Sequence, residues 1–489
     1  MAQMNDSQVA LRVLVLEDIR EQAERIRQVC LAEVDAGVIT VEVSRNADDA
    51  MWKLRSGHFD LAICDLSVPK NANSMLPDKK HGIGVVSHAL RDFPGMPLVI
   101  LSEYAEDKSV LHEFRGHENR ADPYGIGTDV AMFMPFTNDA APECDDYIRD
   151  CLRRSLMVAH VNVINDAEVE LTLAQKRVLQ VLTIGRGADT VEISRRLGGQ
   201  SSSTTLQIEL KQDATPIGFL VAKIDKYDRI SSEEQGAKRA AMAYPPGLSA
   251  TVVDTVKAGA GDLGGLFYRT QDGHERSLFT CLGKDQAAAY TAVTALIDGC
   301  KTLASSSRRT KQKLNEIRGE LVFTSELPPG VDQRRVSRCD EIEVDLGLSI
   351  QHGDLHGENV LVATGPGANA VLIDLADVRI GPSCFDPITL ELSTVFHSDV
   401  QAIRGDWPTV DQMNNWSDLD GFVGGCPFED HVRLCRDWTR DVATSDEEIL
   451  AVALSYALRQ LGFDTGPTDL ALALVDHTLT GLESHPSVR

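Results

Sequence analysis

The sequence predicts an α/β doubly wound domain followed by a two-lobed α+β domain, and three observations carry that prediction. Over about residues 10–157, short apolar runs alternate with helical patterns, and acidic or hydroxyl side chains stand where the runs end. Over about 189–272, strand-like runs follow one another with a single helical interruption. From about 273 to 489 the chain is largely amphipathic helix, broken by the polar stretch Gln351–Leu361 (QHGDLHGENVL) and by VLIDLAD after it. The expected division is 10–157, a helical linker at 158–188, and 189–489, the last with lobes at about 189–272 and 273–489.

In the first domain, LRVLVL at 11–16 ends in Glu17-Asp18, FDLAIC at 59–64 stops at Asp65, and PLVIL at 97–101 ends at Ser102. VITVEV at 38–43 supplies another strand, and a fifth is expected over Val130–Phe133, before Met134-Pro135-Phe136. Ligands of a doubly wound sheet lie beyond the carboxyl ends of its strands, so Glu17, Asp18, Asp65 and Ser102 should share one pocket. This arrangement resembles the receiver domain of two-component response regulators. The resemblance implies a Mg²⁺ site on Glu17, Asp18 and Asp65, with Asp65 as phosphoacceptor and Ser102 as switch hydroxyl. It also expects a Lys where Met134 stands; its loss removes a cation that would pair with phosphoryl oxygens. A loop insertion at roughly 70–80 lies beside the pocket. The expectation is a degenerate receiver, kept for docking a protein partner or a second copy of the chain.

The middle of the chain admits two readings. LTLAQKRVLQVL followed by TVEISRRLGG could be a helix-turn-helix, a DNA-binding module behind a receiver. Alternatively, Val191–Leu197 and Leu206–Leu210 are strands bridged by Gly198-Gly199-Gln200-Ser201-Ser202-Ser203, whose N–H groups and hydroxyls suit phosphate oxygens. IGFLVAKI at 217–224 then presents Lys223, and Ser231–Ala243 forms a helix capped by Ser231 or Ser232. Glu234, or failing that Glu233, would pair with Lys223. The order of loop, Lys and Glu favours the second reading. GAGDLG at 259–264 matches GxGxxG but lies between strand-like runs, and reads as a hairpin turn. Arg308, Arg309, Lys311 and Lys313 read as the solvated face of a helix.

The polar stretch carries the chemistry. Asp354 and Asn359 have the spacing of a kinase catalytic loop, and a strand then delivers Asp374. A carboxylate can orient a hydroxyl and take its proton, while an amide oxygen and a second carboxylate suit a hard cation. His352-Gly353-Asp354-Leu355-His356 with Asn359, then Ile373-Asp374 with Asp377, resembles the signature of aminoglycoside phosphotransferases and choline-kinase-like enzymes, which have a protein-kinase-like fold. The resemblance implies Asp354 as catalytic base, Asn359 and Asp374 as Mg²⁺ ligands, His352 as a structural residue, and Asp386 as an acid that opens a helix and braces the loop. ATP would lie with its phosphates under residues 198–204 and on Lys223, and the acceptor would be an unknown hydroxyl compound.

Composition restricts the partners. With 48 basic and 73 acidic residues the formal net charge is −25, which disfavours nucleic acid and anionic membranes. No apolar run reaches the roughly 18 residues of a membrane helix, and the opening MAQMNDSQVALR has no signal-peptide pattern. Ten cysteines without a CxxC pair suit reduced thiols, so a cytoplasmic protein is expected, and the two resemblances in one chain imply bacterial signalling. Two other classes stand beside the phosphotransferase: a nucleotide-binding scaffold that moves no phosphate, and a DNA-binding response regulator.

Overall fold

The structure is a computed structural model that describes residues 11–34, 37–74, 76–105, 114, 120–197, 203–269, 276–305, 308–322, 327–363, 369–463 and 466–484. It divides into two compact units, Met1–Ser231 with Val252–Arg269, and Ser232–Thr251 with Thr270–Arg489.

The first unit opens with β1 (Leu11–Leu16), α1 (Arg20–Glu33), β2 (Ile39–Ser44), α2 (Ala47–Ser56), β3 (Leu61–Cys64), α3 (Lys79–Asp92) and β4 (Leu98–Leu101). A small antiparallel pair, β5 (Arg120–Ala121) and β6 (Val130–Ala131), precedes β7 (Phe133–Phe136) and α4 (Ala141–Ala159). The five parallel strands run in the order β2-β1-β3-β4-β7. Helices cover both faces, so β3 and β4 are buried along their whole length, which is why they read as unbroken apolar runs. The fifth strand is not Val130–Phe133. It starts at Phe133 and includes Met134 and Pro135, because Val130–Ala131 is drawn off to pair with Arg120–Ala121.

The same unit continues with β8 (Asn162–Asn165), α5 (Leu173–Gly185), β9 (Thr190–Leu197), β10 (Thr204–Gln212), β11 (Thr215–Lys226), β12 (Val252–Val256) and β13 (Leu263–Arg269); between β11 and β12, α6 (Tyr227–Ala243) begins here and from Ser232 onward belongs to the second unit. The six-stranded sheet of the first unit runs β12-β13-β11-β10-β9-β8. TVEISRRL is strand β9, hydrogen-bonded to β10 on one side and β8 on the other, so the helix-turn-helix reading fails. Alternating burial along β10 matches a sheet with one face in a core. Helix α6 begins at Tyr227, whose N–H donates to the Asp262 carbonyl, so Ser231 and Ser232 lie inside it rather than at its cap.

Residues 158–188, expected as a helical linker, contribute β8 and α5 to this sheet and share its core. Val158, from the last turn of α4, and Tyr124 pack in one apolar cluster with Val178, Leu182, Ile193 and Phe267. The junction is also polar. Arg177 on α5 donates to both oxygens of Asp60, at 2.6 and 3.4 Å, with both side chains at most 4% exposed. GAGDLG is the β12–β13 turn, and its backbone meets Gly95: Gly95 N–H donates to the Gly261 carbonyl at 2.9 Å and Gly259 N–H to the Gly95 carbonyl at 2.7 Å. Gly259 has φ +89°, and a Cβ there would stand 2.1 Å from the Pro123 carbonyl oxygen. Here the glycines permit a close backbone approach, not a phosphate cradle.

The second unit contains β14 (Arg276–Ser277), α7 (Leu278–Lys284), α8 (Gln286–Ser305), β15 (Arg308–Lys313), α9 (Leu314–Leu321), α10 (Gln333–Cys339) and β16 (Glu343–Gln351). The polar stretch Gln351–Leu361 leads through β17 (Val360–Val362), β18 (Ala370–Leu372) and β19 (Arg379–Pro382) to α11 (Phe385–Phe396). Longer helices follow, α12 (Glu429–Val442), α13 (Asp446–Gln460) and α14 (Thr468–Glu483). Arg308–Lys313 is strand β15, paired with β16, and not the helix expected; Lys313 and Lys311 face Glu341 and Asp345, which spread their charge over neighbouring acids. A buried ion pair, Arg436 with Glu391, joins α12 to α11, both side chains at most 3% exposed. All ten cysteines are free thiols, nine of them buried. Among the described residues no helix is long and apolar enough to cross a membrane.

Candidate active site and a second acidic pocket

The loop between β16 and β17 is fixed from behind. Asp386, 5% exposed in the first turn of α11, accepts the His352 N–H at 2.6 Å and the Gly353 N–H at 3.0 Å. Its own N–H donates to Gln351 Oε1, and Cys384 rather than Asp386 occupies the cap position, so Asp386 braces the loop instead of capping the helix. Burial pushes its carboxyl up, against His352 and the two N–H donors, which favour the ionised form. Gly353 has φ +84°, and a Cβ would lie 2.4 Å from the Asp377 carbonyl oxygen, so only glycine fits this turn.

His352 is fully buried and ties the loop to the following strand: its Nε2 lies 2.9 Å from the Ile373 carbonyl. That contact sits next to Asp374. Asp374 itself has φ +58° and ψ +65°, a left-handed conformation that an aspartate tolerates better than most residues. Asn359, 5% exposed, donates its Nδ2 to the Asp354 carbonyl at 2.8 Å, so its Oδ1 is the atom that could hold a cation. Two hard oxygen donors, from Asn359 and Asp374, fit Mg²⁺. On α6, Gly236 lies against the turn after Asp374, where a Cβ would come within 1.7 Å of the Leu375 carbonyl oxygen. Arg239 Nε donates to the Val378 carbonyl at 2.6 Å, so α6 packs on the turn after Asp374.

Asp354 is one-third exposed, as a group facing an acceptor should be. Its Oδ1 accepts from Arg459 Nη2 on α13 at 2.9 Å, and its Oδ2 lies 3.6 Å from His356 Nε2. Burial pushes the His356 imidazole down to about 4, so it is neutral at pH 7. It stacks on Phe279 and touches the His397 ring. Asp377, close to Asp354, Asp374, Arg379 and Arg459, has its carboxyl pushed up by burial and by the neighbouring acids.

The remaining predicted residues belong to other elements. Lys223 lies in β11, paired with Thr205 of β10 and Leu266 of β13. Glu234 forms an i,i+4 ion pair with Lys238 at 3.0 Å, whereas Glu233 is the buried acid of α6, 2% exposed. Gly198, Gly199, Ser201 and Ser202 lie outside the described residues, between β9 and β10.

The first unit holds a second pocket at the carboxyl ends of β1, β3 and β4. Ligand oxygens of Glu17, Asp18 and Asp65 all lie within 4.8 Å of one another. Glu17, 1% exposed, has its carboxyl pushed up to about 7, chiefly by burial and further by Asp65 and Asp18. Burial also raises Asp65, against hydrogen bonds from the Ser102 hydroxyl and the Ser67 N–H. Three converging carboxylates that resist ionisation fit a divalent cation. Met134 stands in β7 beside this pocket's strands, paired with Val99.

Sequence reading missed Arg459, Arg177 and Asp60. Arg459 lies 105 residues from Asp354, and nothing local marks it. Arg177 did leave a signal, since a charged residue within the apolar stripe of LAQKRVLQVL implies a buried partner.

Residues 282–404 match the model of the phosphotransferase enzyme family. Curated protein sequences yield no match. Among solved structures, a CheY-like response regulator receiver domain from Methanospirillum hungatei is 15% identical, covering 29% of this chain and 98% of its own, with a TM-score of 0.21. Aminoglycoside-3'-phosphotransferase of type VIII is 16% identical, covering 59% of this chain and 98% of its own, with a TM-score of 0.35. An ethanolamine kinase of Plasmodium vivax is 10% identical, covering 60% and 81%, with a TM-score of 0.29. The chain joins a receiver-like α/β domain to a kinase-like α+β fold that carries a phosphotransferase-family domain.

Proposed function

We propose that this protein is a Mg²⁺- and ATP-dependent phosphotransferase acting on a hydroxyl acceptor, with its receiver-like domain serving bacterial signalling as a regulatory or docking module. The observation that carries the reading is the braced loop, in which Asp386 and His352 hold Asp354, Asn359 and Asp374 from two sides. Asp354 orients the acceptor hydroxyl and takes its proton as the oxygen attacks the γ-phosphorus, while the nucleoside diphosphate leaves with the bonding electron pair. Asn359 and Asp374 would hold the Mg²⁺, which when bound neutralises phosphate charge. Lys223 is assigned to phosphate oxygens. Catalysis on this account is mainly positioning and charge neutralisation.

The test is transfer of labelled γ-phosphate to a panel of hydroxyl compounds, comparing wild type with Asp354→Asn. Transfer by the wild type, lost in the variant with nucleotide binding intact, supports the reading. A wild-type rate in Asp354→Asn removes Asp354 as base. Nucleotide binding with no turnover for any acceptor leaves the scaffold reading, to which Met134 already inclines the receiver half.

A further inference from the structure

We infer that Arg459 is a positioning residue for Asp354, an inference that rests on the phosphotransferase reading. Asp354 has two carboxylate oxygens, and a base that serves one hydroxyl needs only one of them. Arg459 Nη2 holds Oδ1 at 2.9 Å, which turns Oδ2 toward the side where His356 stands, 3.6 Å away. The guanidinium is 9% exposed and comes from the last turn of α13, a helix buried along most of its length. A buried guanidinium stays charged and needs an anionic partner; a planar donor on a packed helix restricts that partner's rotation. His356 cannot do this, since it is neutral at pH 7. Asp354 is itself one-third exposed and lies on a loop, so without Arg459 its χ angles have little else to fix them. The acceptor oxygen therefore approaches Oδ2 past His356. It forms its bond to phosphorus as the bond to the bridging oxygen breaks, and its proton passes to Oδ2. Arg459 touches neither the acceptor nor the transferred group.

Steady-state kinetics on full-length Arg459→Met, Arg459→Lys and Arg459→Ala test this, with melting temperatures as the folding control. Arg459→Met should lose 10- to 100-fold in kcat with the nucleotide KM within twofold of wild type. Arg459→Lys keeps the charge and should fall between. Added guanidinium at millimolar concentration should restore part of the Arg459→Ala rate and none of the Arg459→Met rate, because the longer side chain fills the space. Wild-type kcat in Arg459→Met overturns the inference. So does a parallel loss of kcat, nucleotide affinity and melting temperature in all three variants without guanidinium rescue, which marks a purely structural residue. The two readings separate cleanly: if Asp354→Asn is dead and Arg459→Met is not, only the role of Arg459 fails, whereas a wild type that neither binds nucleotide nor transfers phosphate overturns both.

Discussion

The loop around Asp354 and the pocket at Glu17 both gather carboxylates, and they differ in the donors those carboxylates meet. In the loop, Asp354 accepts from a guanidinium and Asp386 from two backbone N–H groups. In the pocket, Glu17 accepts from the Ile19 N–H and Asp65 from the Ser102 hydroxyl and the Ser67 N–H, yet burial outweighs these donors and raises Glu17, Asp18 and Asp65 alike. Asp60 is the control within the same domain. It sits at the other end of β3 from Asp65 and is the more deeply buried, yet Arg177 and His58 hold it well below the usual range against the burial that opposes ionisation. Burial alone does not decide the state of these acids; the neighbouring cation does. The loop is a finished charge network that can orient a substrate, while the pocket is completed by a divalent cation or a proton.

Breaking the finished networks should have the largest effects. Asp354→Asn should lower transfer by about a thousandfold or more while leaving the nucleotide dissociation constant within twofold, read by single-turnover kinetics and calorimetry. Asp60→Ala leaves Arg177 buried without its anion, so it should destabilise the first unit by about 3–5 kcal/mol in chemical denaturation. A loss below about 1 kcal/mol would mean that the junction does not depend on this pair. Asp386→Asn keeps the side chain's shape but weakens two charge-assisted hydrogen bonds, and should lower kcat by roughly 10- to 100-fold with little change in melting temperature.

The unfinished pocket should respond to pH and to cations. Glu17 titrates near 4.5 when unfolded and about 7 when folded, so its folded carboxyl is favoured while protonated. That stability is fully present below about 4.5 and is lost as pH rises through about 7, a change on the order of 3 kcal/mol in the absence of a cation. Mg²⁺ should restore it, so the rise in melting temperature on adding Mg²⁺ should be larger at pH 7.5 than at pH 5. Equal rises at both pH values would count against Glu17 as a ligand. Met134→Lys supplies a cation beside the pocket and should give the smallest effect: a reduced Mg²⁺ response at pH 7.5, with phosphate transfer unchanged.

Much of this was legible in the sequence where chemistry is local. Asp354 to Asn359 is a short loop, and Asp374 follows by one hairpin, so spacing alone placed them near one another. Glu17, Asp65 and Ser102 were readable because parallel strands deposit their next residues at one edge. What sequence could not show depends on long-range packing. Arg459 reaches Asp354 only through the path of α13, and Asp60 meets Arg177 across 117 residues. The basic run at 308–313 has the charge of a solvated helix face, but pairing with β16 overrode that preference. The GAGDLG turn was correctly placed in a hairpin, yet its partner at Gly95 is a backbone contact that leaves no side-chain trace.

The central claim is that the braced loop binds Mg²⁺ and nucleotide for transfer. Calorimetric titration of ATP into wild type and Asp374→Ala, each with and without Mg²⁺, tests it most directly. The account predicts Mg²⁺-dependent binding by the wild type that weakens at least tenfold in Asp374→Ala. Binding that is identical in the two proteins, or absent at millimolar ATP with Mg²⁺, would contradict it.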